Sequence, residues 1–208
     1  MKMLHNFAVF EGGDGSGTTT QLSILEERLK SAKKPFFFPT FEPTDGPIGR
    51  LIRSALKKEI ILKPETLAML FAADRNEHLH GPDGILERTN RSELVISDRY
   101  VLSSLAYQSI ECGEELPLIL NSRYPAPEVL IFLDIEPETA LGRLKDRSLY
   151  EIYEYRDFQE KVRENYKSLL GIYRDAGVRV QTIDASKNEA EVAEEVWSII
   201  SGMPIFKA

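Results

Sequence analysis

Apolar positions along the chain fall into two periods. Five short runs, Phe7–Phe10, Pro35–Phe38, Leu94–Ile96, Val129–Leu133 and Val178–Ile183, have the length and composition of buried strands. Between them apolar residues recur every three or four positions, as in Leu22, Leu25 and Leu29, or Ile48, Leu51, Ile52 and Leu56. That spacing predicts helices from Thr18 to about Lys30 and around 48–56. A long helix should open at Pro64, where a first-turn proline is tolerated. Further helices are expected from Val101 to about Ile110, from Pro137 toward Arg147, over Phe158–Tyr173, and over Asn188–Ile200. Phe41–Gly46, with Pro43 and Gly46 as breakers, should be a loop. Short strands alternating with helices imply an α/β fold whose parallel sheet is covered on both faces. Ligands in such sheets bind beyond the carboxyl ends of the strands, where Glu11, Asp98 and Asp134 fall.

The stretch between the first strand and the first helix carries the strongest chemistry. It reads EGGDGSGTTTQ, Glu11 to Gln21, with glycines at 12, 13, 15 and 17. Glycines let the backbone bend and aim N–H groups inward, and the helix start behind them adds partial positive charge, which together suit a phosphate. The spacing Gly12-x-x-x-x-Gly17 fits the phosphate-binding loop GxxxxGK[ST], but Thr18 occupies the lysine position. Thr19 supplies the hydroxyl expected to meet magnesium.

Two further stretches can line a pocket. Phe71, Asp74, Arg75 and His78 stand at i, i+3, i+4 and i+7 and share a helix face. A ring beside a guanidinium can hold a flat heterocycle, Phe71 stacking and Arg75 donating; equally, Phe71 can be core and Asp74–Arg75 solvated. In DRYVLSSLAYQ, Asp98–Gln108, Asp98 closes a strand where a magnesium-holding carboxylate commonly sits, and Arg99 can clamp a phosphate. Ser103, Ser104, Tyr107 and Gln108 follow along one helix start. Asp98 could instead cap the next helix, and Arg99 could pair with it.

Composition narrows the partners. The 208 residues are 42% hydrophobic and 28% charged, with net charge -7, ordinary for one soluble α/β domain spanning 1–208. That charge disfavours polymeric nucleic acid and anionic membranes as main partners. Cys112 is the only cysteine, which excludes an intrachain disulfide and favours a reducing, cytoplasmic setting. No run approaches the roughly 20 apolar residues of a membrane helix. The apolar run after Lys2 is short, interrupted by His5 and Asn6, and is not read as a signal peptide.

With EGGDGSGTTTQ, EPTDGPIGRLIR (42–53), LFAADRNEH (70–78), DRYVLSSLAYQ and PEVLIFLDIEPETALGRL (127–144), the chain resembles the thymidylate kinases of the P-loop nucleoside monophosphate kinase superfamily nearly end to end. The resemblance implies a three-layer P-loop NTPase fold, strand order 2-3-1-4-5, with a lid at about 143–156. It implies transfer of the ATP γ-phosphate to dTMP. Gly12, Gly13, Asp14, Gly15, Ser16, Gly17, Thr18, Thr19 and Thr20 would hold ATP, with Thr19 and Asp98 at Mg2+. Asp14 would lie near the acceptor 3′-hydroxyl, Phe71 stack on thymine, Arg75 bond a base carbonyl and Arg99 grip the acceptor phosphate. Ser103, Ser104 and Gln108 would line the base edge, and Tyr107 would crowd a 2′-hydroxyl. The glycine loop has no arginine, so Arg143, Arg147 or Arg156 of the lid would meet charge on the transferred group, with Arg147 taken as catalytic beside Asp14 and Arg99; otherwise the three make ordinary surface pairs. A homodimer is also implied. The chain departs from the pattern twice, with Thr18 for lysine and Phe41 for the arginine before Glu42-Pro43. A nucleotide-binding homologue with impaired transfer, or a kinase for another small acceptor, are the alternatives.

Overall fold

The computed structural model describes residues 2–31, 37–143 and 149–207, with side chains from 155 onward in the last stretch. Five parallel strands, β1 (Met3–Gly12), β2 (Phe37–Phe41), β3 (Leu94–Asp98), β4 (Ala126–Asp134) and β5 (Arg179–Asp184), form one sheet in the order β2-β3-β1-β4-β5. This is the expected 2-3-1-4-5 order of a P-loop NTPase sheet. The helices described are α1 (Thr18–Ser31), α2 (Pro47–Leu56), α3 (Pro64–His80), α4 (Ile85–Asn90), α5 (Val101–Cys112), α6 (Glu115–Asn121), α7 (Pro137–Arg143), α8 (Leu149–Asp175) and α9 (Glu189–Ser201).

Strand alternation sends successive side chains to opposite faces and so builds the layers. Ala8, Phe10, Ile96, Ile131 and Leu133 meet Leu22, Leu25 and Leu29 of α1 and Val192, Val196 and Ile200 of α9. On the other face, Phe7, Val9 and Val95 pack with Leu79, Ile85, Tyr100, Val101 and Leu105, while Leu130 and Phe132 pack with Leu102, Val162 and Tyr166 of α5 and α8.

Three readings of the sequence change. The second strand runs Phe37–Phe41, later than Pro35–Phe38 suggests, so Phe41 is the last strand residue, paired with Asp98. Pro39 is tolerated because β2 is an edge strand, with one side unpaired among the described residues. The short helices α4 and α6 were not expected, since seven residues or fewer show no readable period. The helix expected over Phe158–Tyr173 begins at Leu149 and ends at Asp175. The helix opened by Pro137 is described to Arg143; the rest of that expectation, with Arg147, lies outside the described residues.

Candidate active site

The carboxyl ends of β1, β3 and β4 meet above the glycine-rich turn. Gly15 and Gly17 hold φ of +79° and +90°, and a Cβ on Gly15 would lie 2.8 Å from the Ala140 carbonyl oxygen, so a side chain fits neither conformation nor space. Ser16 N–H bonds the Gly13 carbonyl at 3.1 Å, and Gln21 N–H bonds that of Gly17 at 3.0 Å as α1 begins. Ser16 Oγ is buried without a partner among the described residues. Thr18 is 7% exposed and brings no charge; Thr20 is exposed on the first turn of α1.

At the end of β3, Asp98 accepts a 3.0 Å hydrogen bond from the Thr19 hydroxyl through Oδ2, while its buried Oδ1 has no partner among the described residues. Asp98 therefore neither caps α5 nor pairs with Arg99. Among the described residues no cluster of three or more His, Cys, Asp or Glu side chains could hold a metal alone. One strand-end carboxylate plus one threonine hydroxyl suits a magnesium ion bound largely through phosphates and water.

Arg99 sits in the left-handed region, φ +69°, with its N–H bonded to the Phe10 carbonyl at 2.8 Å. A non-glycine residue there costs about 1–3 kcal/mol and has to be held by its surroundings. The bend aims the guanidinium across the strand ends to Asp14, Nη2 donating to Oδ1 at 2.8 Å. Tyr107 donates to the same oxygen at 3.0 Å; burial holds its hydroxyl above its ordinary value, so it stays neutral and can donate. Below them Glu11 is fully buried and accepts from Tyr100 N–H (3.0 Å) and Tyr166 Oη (3.0 Å), and from Ser103 Oγ (2.5 Å). Burial pushes its carboxyl up, opposed by the Ser103 hydroxyl, the Arg99 charge and the Tyr166 hydroxyl.

A cavity of about 190 Å³ opens beside this cluster. Asp14, Phe71, Arg75, Arg99, Ser103, Ser104, Tyr107 and Gln108 all line it, joined by Glu42, Pro43, Leu56 and Tyr100. The structure thus brings together residues from three separate sequence stretches. The shared face of α3 is real, but Asp74 and Arg75 are not solvated: they are 2% and 1% exposed. Asp74 accepts from Thr44 N–H and Oγ at 2.7 Å each, and His78 bridges Glu42 Oε1 (3.0 Å) and Thr40 Oγ1 (2.6 Å). Arg75 donates through Nε to Glu42 Oε2 at 2.9 Å, through Nη2 to the Tyr100 carbonyl and Ser104 Oγ at 3.0 Å each, and through Nη1 to Asn121 Oδ1. These bonds use four of the five guanidinium N–H groups. Gln108 Oε1 is buried on the cavity wall without a partner among the described residues.

Of the lid arginines, Arg143 donates through Nη2 to the Ala185 carbonyl at 2.8 Å, and its Nη1 lies 4.0 Å from where a Cβ on Gly17 would stand. Arg156 pairs with Glu160 at 3.0 Å, and Arg147 lies outside the described residues. Phe41 is 42% exposed with the Arg53 guanidinium 5.5 Å from its ring centroid; Arg53 also donates to the Thr44 carbonyl at 2.6 Å.

Sequence reasoning missed a polar stripe on α8. Gln159 contacts Asp14, Arg163 donates to Asp134 at 2.6 Å, and Tyr166 donates to Glu11. Burial works against the Asp134 carboxylate, but Arg163 and Lys167 outweigh it and hold it below its ordinary value. The signal was present as polar residues at i, i+4 and i+7 interleaved with the apolar stripe.

Among the described residues no helix is long and apolar enough to cross a membrane. Residues 10–196 match the thymidylate kinase family. A protein of Treponema pallidum (strain Nichols) that carries the thymidylate kinase name is 43% identical over 198 residues, 94% of each chain. Counterparts from Pyrobaculum aerophilum and Aeropyrum pernix are 40% and 36% identical, covering 97% and 91% of this chain and 99% and 95% of their own. A strand–glycine loop–helix at the centre of a 2-3-1-4-5 sheet, and matches of this extent, agree: the chain belongs to the thymidylate kinase family.

Proposed function

We propose that this chain acts as a single kinase domain that transfers the ATP γ-phosphate to dTMP, giving ADP and dTDP. The observation that carries the proposal is the cavity that gathers Phe71, Arg75, Arg99, Ser104, Tyr107 and Gln108 next to a phosphate loop. Phe71 supplies the stacking face. The unpartnered Gln108 oxygen suits the imide N–H of thymine, a donor that cytosine lacks at that ring position. The one N–H of Arg75 not engaged above is available to a base carbonyl. Tyr107, tied to Asp14, would crowd a 2′-hydroxyl.

The acceptor phosphate takes Arg99, which turns its oxygens toward the donor. One of those oxygens attacks the γ-phosphorus in line; its new P–O bond forms as the bond to the β–γ bridging oxygen breaks, and ADP leaves with that electron pair. The acceptor oxygens are already anionic, so no strong base is needed, and positioning and charge cancellation carry the rate. The glycine-loop N–H groups and the start of α1 would hold the donor phosphates. Thr19 and Asp98 would hold Mg2+, which when bound supplies positive charge beside those phosphates; the orphaned Asp98 oxygen fits that assignment. Thr18 cannot supply the lysine charge, so a lid arginine would meet the transferred group. Arg147→Ala should then lower kcat more than it raises KM, the pattern of a contact made in the transition state.

The proposal includes a cytoplasmic homodimer. Leu51, Met69, Leu118 and Ile119 on α2, α3 and α6 are 42–62% exposed, apolar side chains that a second copy would cover. An ADP-release assay across a panel of monophosphates tests the activity. Turnover with dTMP well above AMP, CMP and UMP is expected; turnover with another acceptor and none with dTMP would overturn the reading.

A further inference from the structure

We infer that Gln159 is a positioning residue that keeps the Asp14 carboxylate in place when an acceptor phosphate draws Arg99 away from it. The inference rests on the dTMP reading of the cavity.

Asp14 has two kinds of partner. Through Oδ1 it accepts from Arg99 and Tyr107, at 2.8 and 3.0 Å. On its other side stands Gln159, 4% exposed on α8. Gln159 Oε1 accepts from the Asp14 N–H at 3.2 Å, and its Nε2 donates to Asp14 Oδ2 at 3.3 Å. The backbone N–H can only donate, so it fixes which end of the amide is oxygen and which is nitrogen. The same amide abuts the loop one residue earlier, where a Cβ on Gly13 would lie 3.0 Å from Oε1.

A phosphate on Arg99 competes with Asp14 for the guanidinium and sets two anions side by side. With Arg99 engaged, the carboxylate keeps the Tyr107 hydroxyl and the Gln159 amide. An amide suits this duty because it donates and accepts from one side chain and adds no charge. A carboxylate at 159 would repel Asp14; a cation there would compete with Arg99. Gln159 also ties α8 to the phosphate loop.

The test is dTMP affinity by isothermal titration from pH 6 to 9 on the full chain, with ATP affinity measured alongside, for the parent, Gln159→Glu and Gln159→Leu. In Gln159→Glu the new carboxylate faces Asp14, and the pair shares a proton as pH falls. The expected result is dTMP binding weakened about tenfold at pH 9 relative to the parent at the same pH, closing toward pH 6, with ATP affinity changed less than about twofold. Gln159→Leu, which cannot share a proton, should weaken dTMP by a factor that does not vary with pH. A structural role alone would weaken both nucleotides together with no pH dependence. Equal losses for the two variants at every pH, or an unchanged dTMP affinity in Gln159→Glu, overturn this inference alone. A parent that binds no dTMP overturns the kinase reading and this inference with it.

Discussion

On the α3 side of the cleft, Glu42, Asp74 and Arg75 are buried and His78 half-buried, and all four are bonded to one another or to the Thr40–Thr44 segment, so the wall is held by the protein's own contacts. On the phosphate-loop side, Thr18 is neutral, Asp98 Oδ1 and Ser16 Oγ have no partner among the described residues, and Arg143 stands at the edge. On the first side Asp74, Arg75 and His78 of α3 are paired within the protein; on the second, Asp98 and Ser16 each keep a buried oxygen without a partner among the described residues. The difference predicts that acceptor recognition and phosphoryl transfer can be separated in this chain. In the proposed function, binding would rest on the paired α3 wall, while rate would rest on charge that the glycine loop does not supply.

The largest expected effect breaks the fixed wall. Arg75→Ala leaves Glu42 buried without its cation, and removing one member of a buried pair costs about 3–5 kcal/mol. Urea unfolding should show that loss, whereas Phe71→Ala should unfold near the parent midpoint. A stable Arg75→Ala would mean that the wall is not held by this pair.

Arg99→Ala should cost about 3–4 kcal/mol in kcat/KM for dTMP, two to three orders of magnitude, with KM for ATP little changed. A comparable rise in the ATP KM would place Arg99 on the donor side and blur the division.

How much of this was readable in the sequence follows the same line. The strand ends, the glycine loop and the Phe71–His78 face show local periods or motifs, and the structure places them where expected. The partners that fix them do not. Glu42 lies 33 residues from Arg75 and Gln159 lies 145 from Asp14, and no local pattern reports such pairings. The sequence leaves Arg75 open to a solvated reading for that reason: charge at a helical spacing says nothing of burial until the opposing carboxylate is placed. The edge position of β2, which tolerates Pro39, is likewise a property of the assembled sheet.

Phe71→Ala should lose about 1–3 kcal/mol of dTMP affinity through lost stacking, by analogy with base–aromatic platforms, while ATP affinity holds. Equal loss for both nucleotides would remove Phe71 from the base site.

Thr18→Lys sharpens the other side of the comparison. If the framework around Thr18 is that of a lysine-bearing loop, the new ammonium should raise kcat/KM for ATP by at least about tenfold, roughly 1.4 kcal/mol. No gain from an active parent would show that another cation already occupies that role, with Arg143 and Arg147 first to be replaced in turn.

The most direct test of the central claim is titration of the unmodified chain with dTMP and with AMP, with no ATP and no magnesium present. A wall fixed by protein predicts that dTMP binds, and binds more tightly than AMP, under those conditions. Equal binding of the two, or no dTMP binding until ATP and magnesium are added, would contradict it.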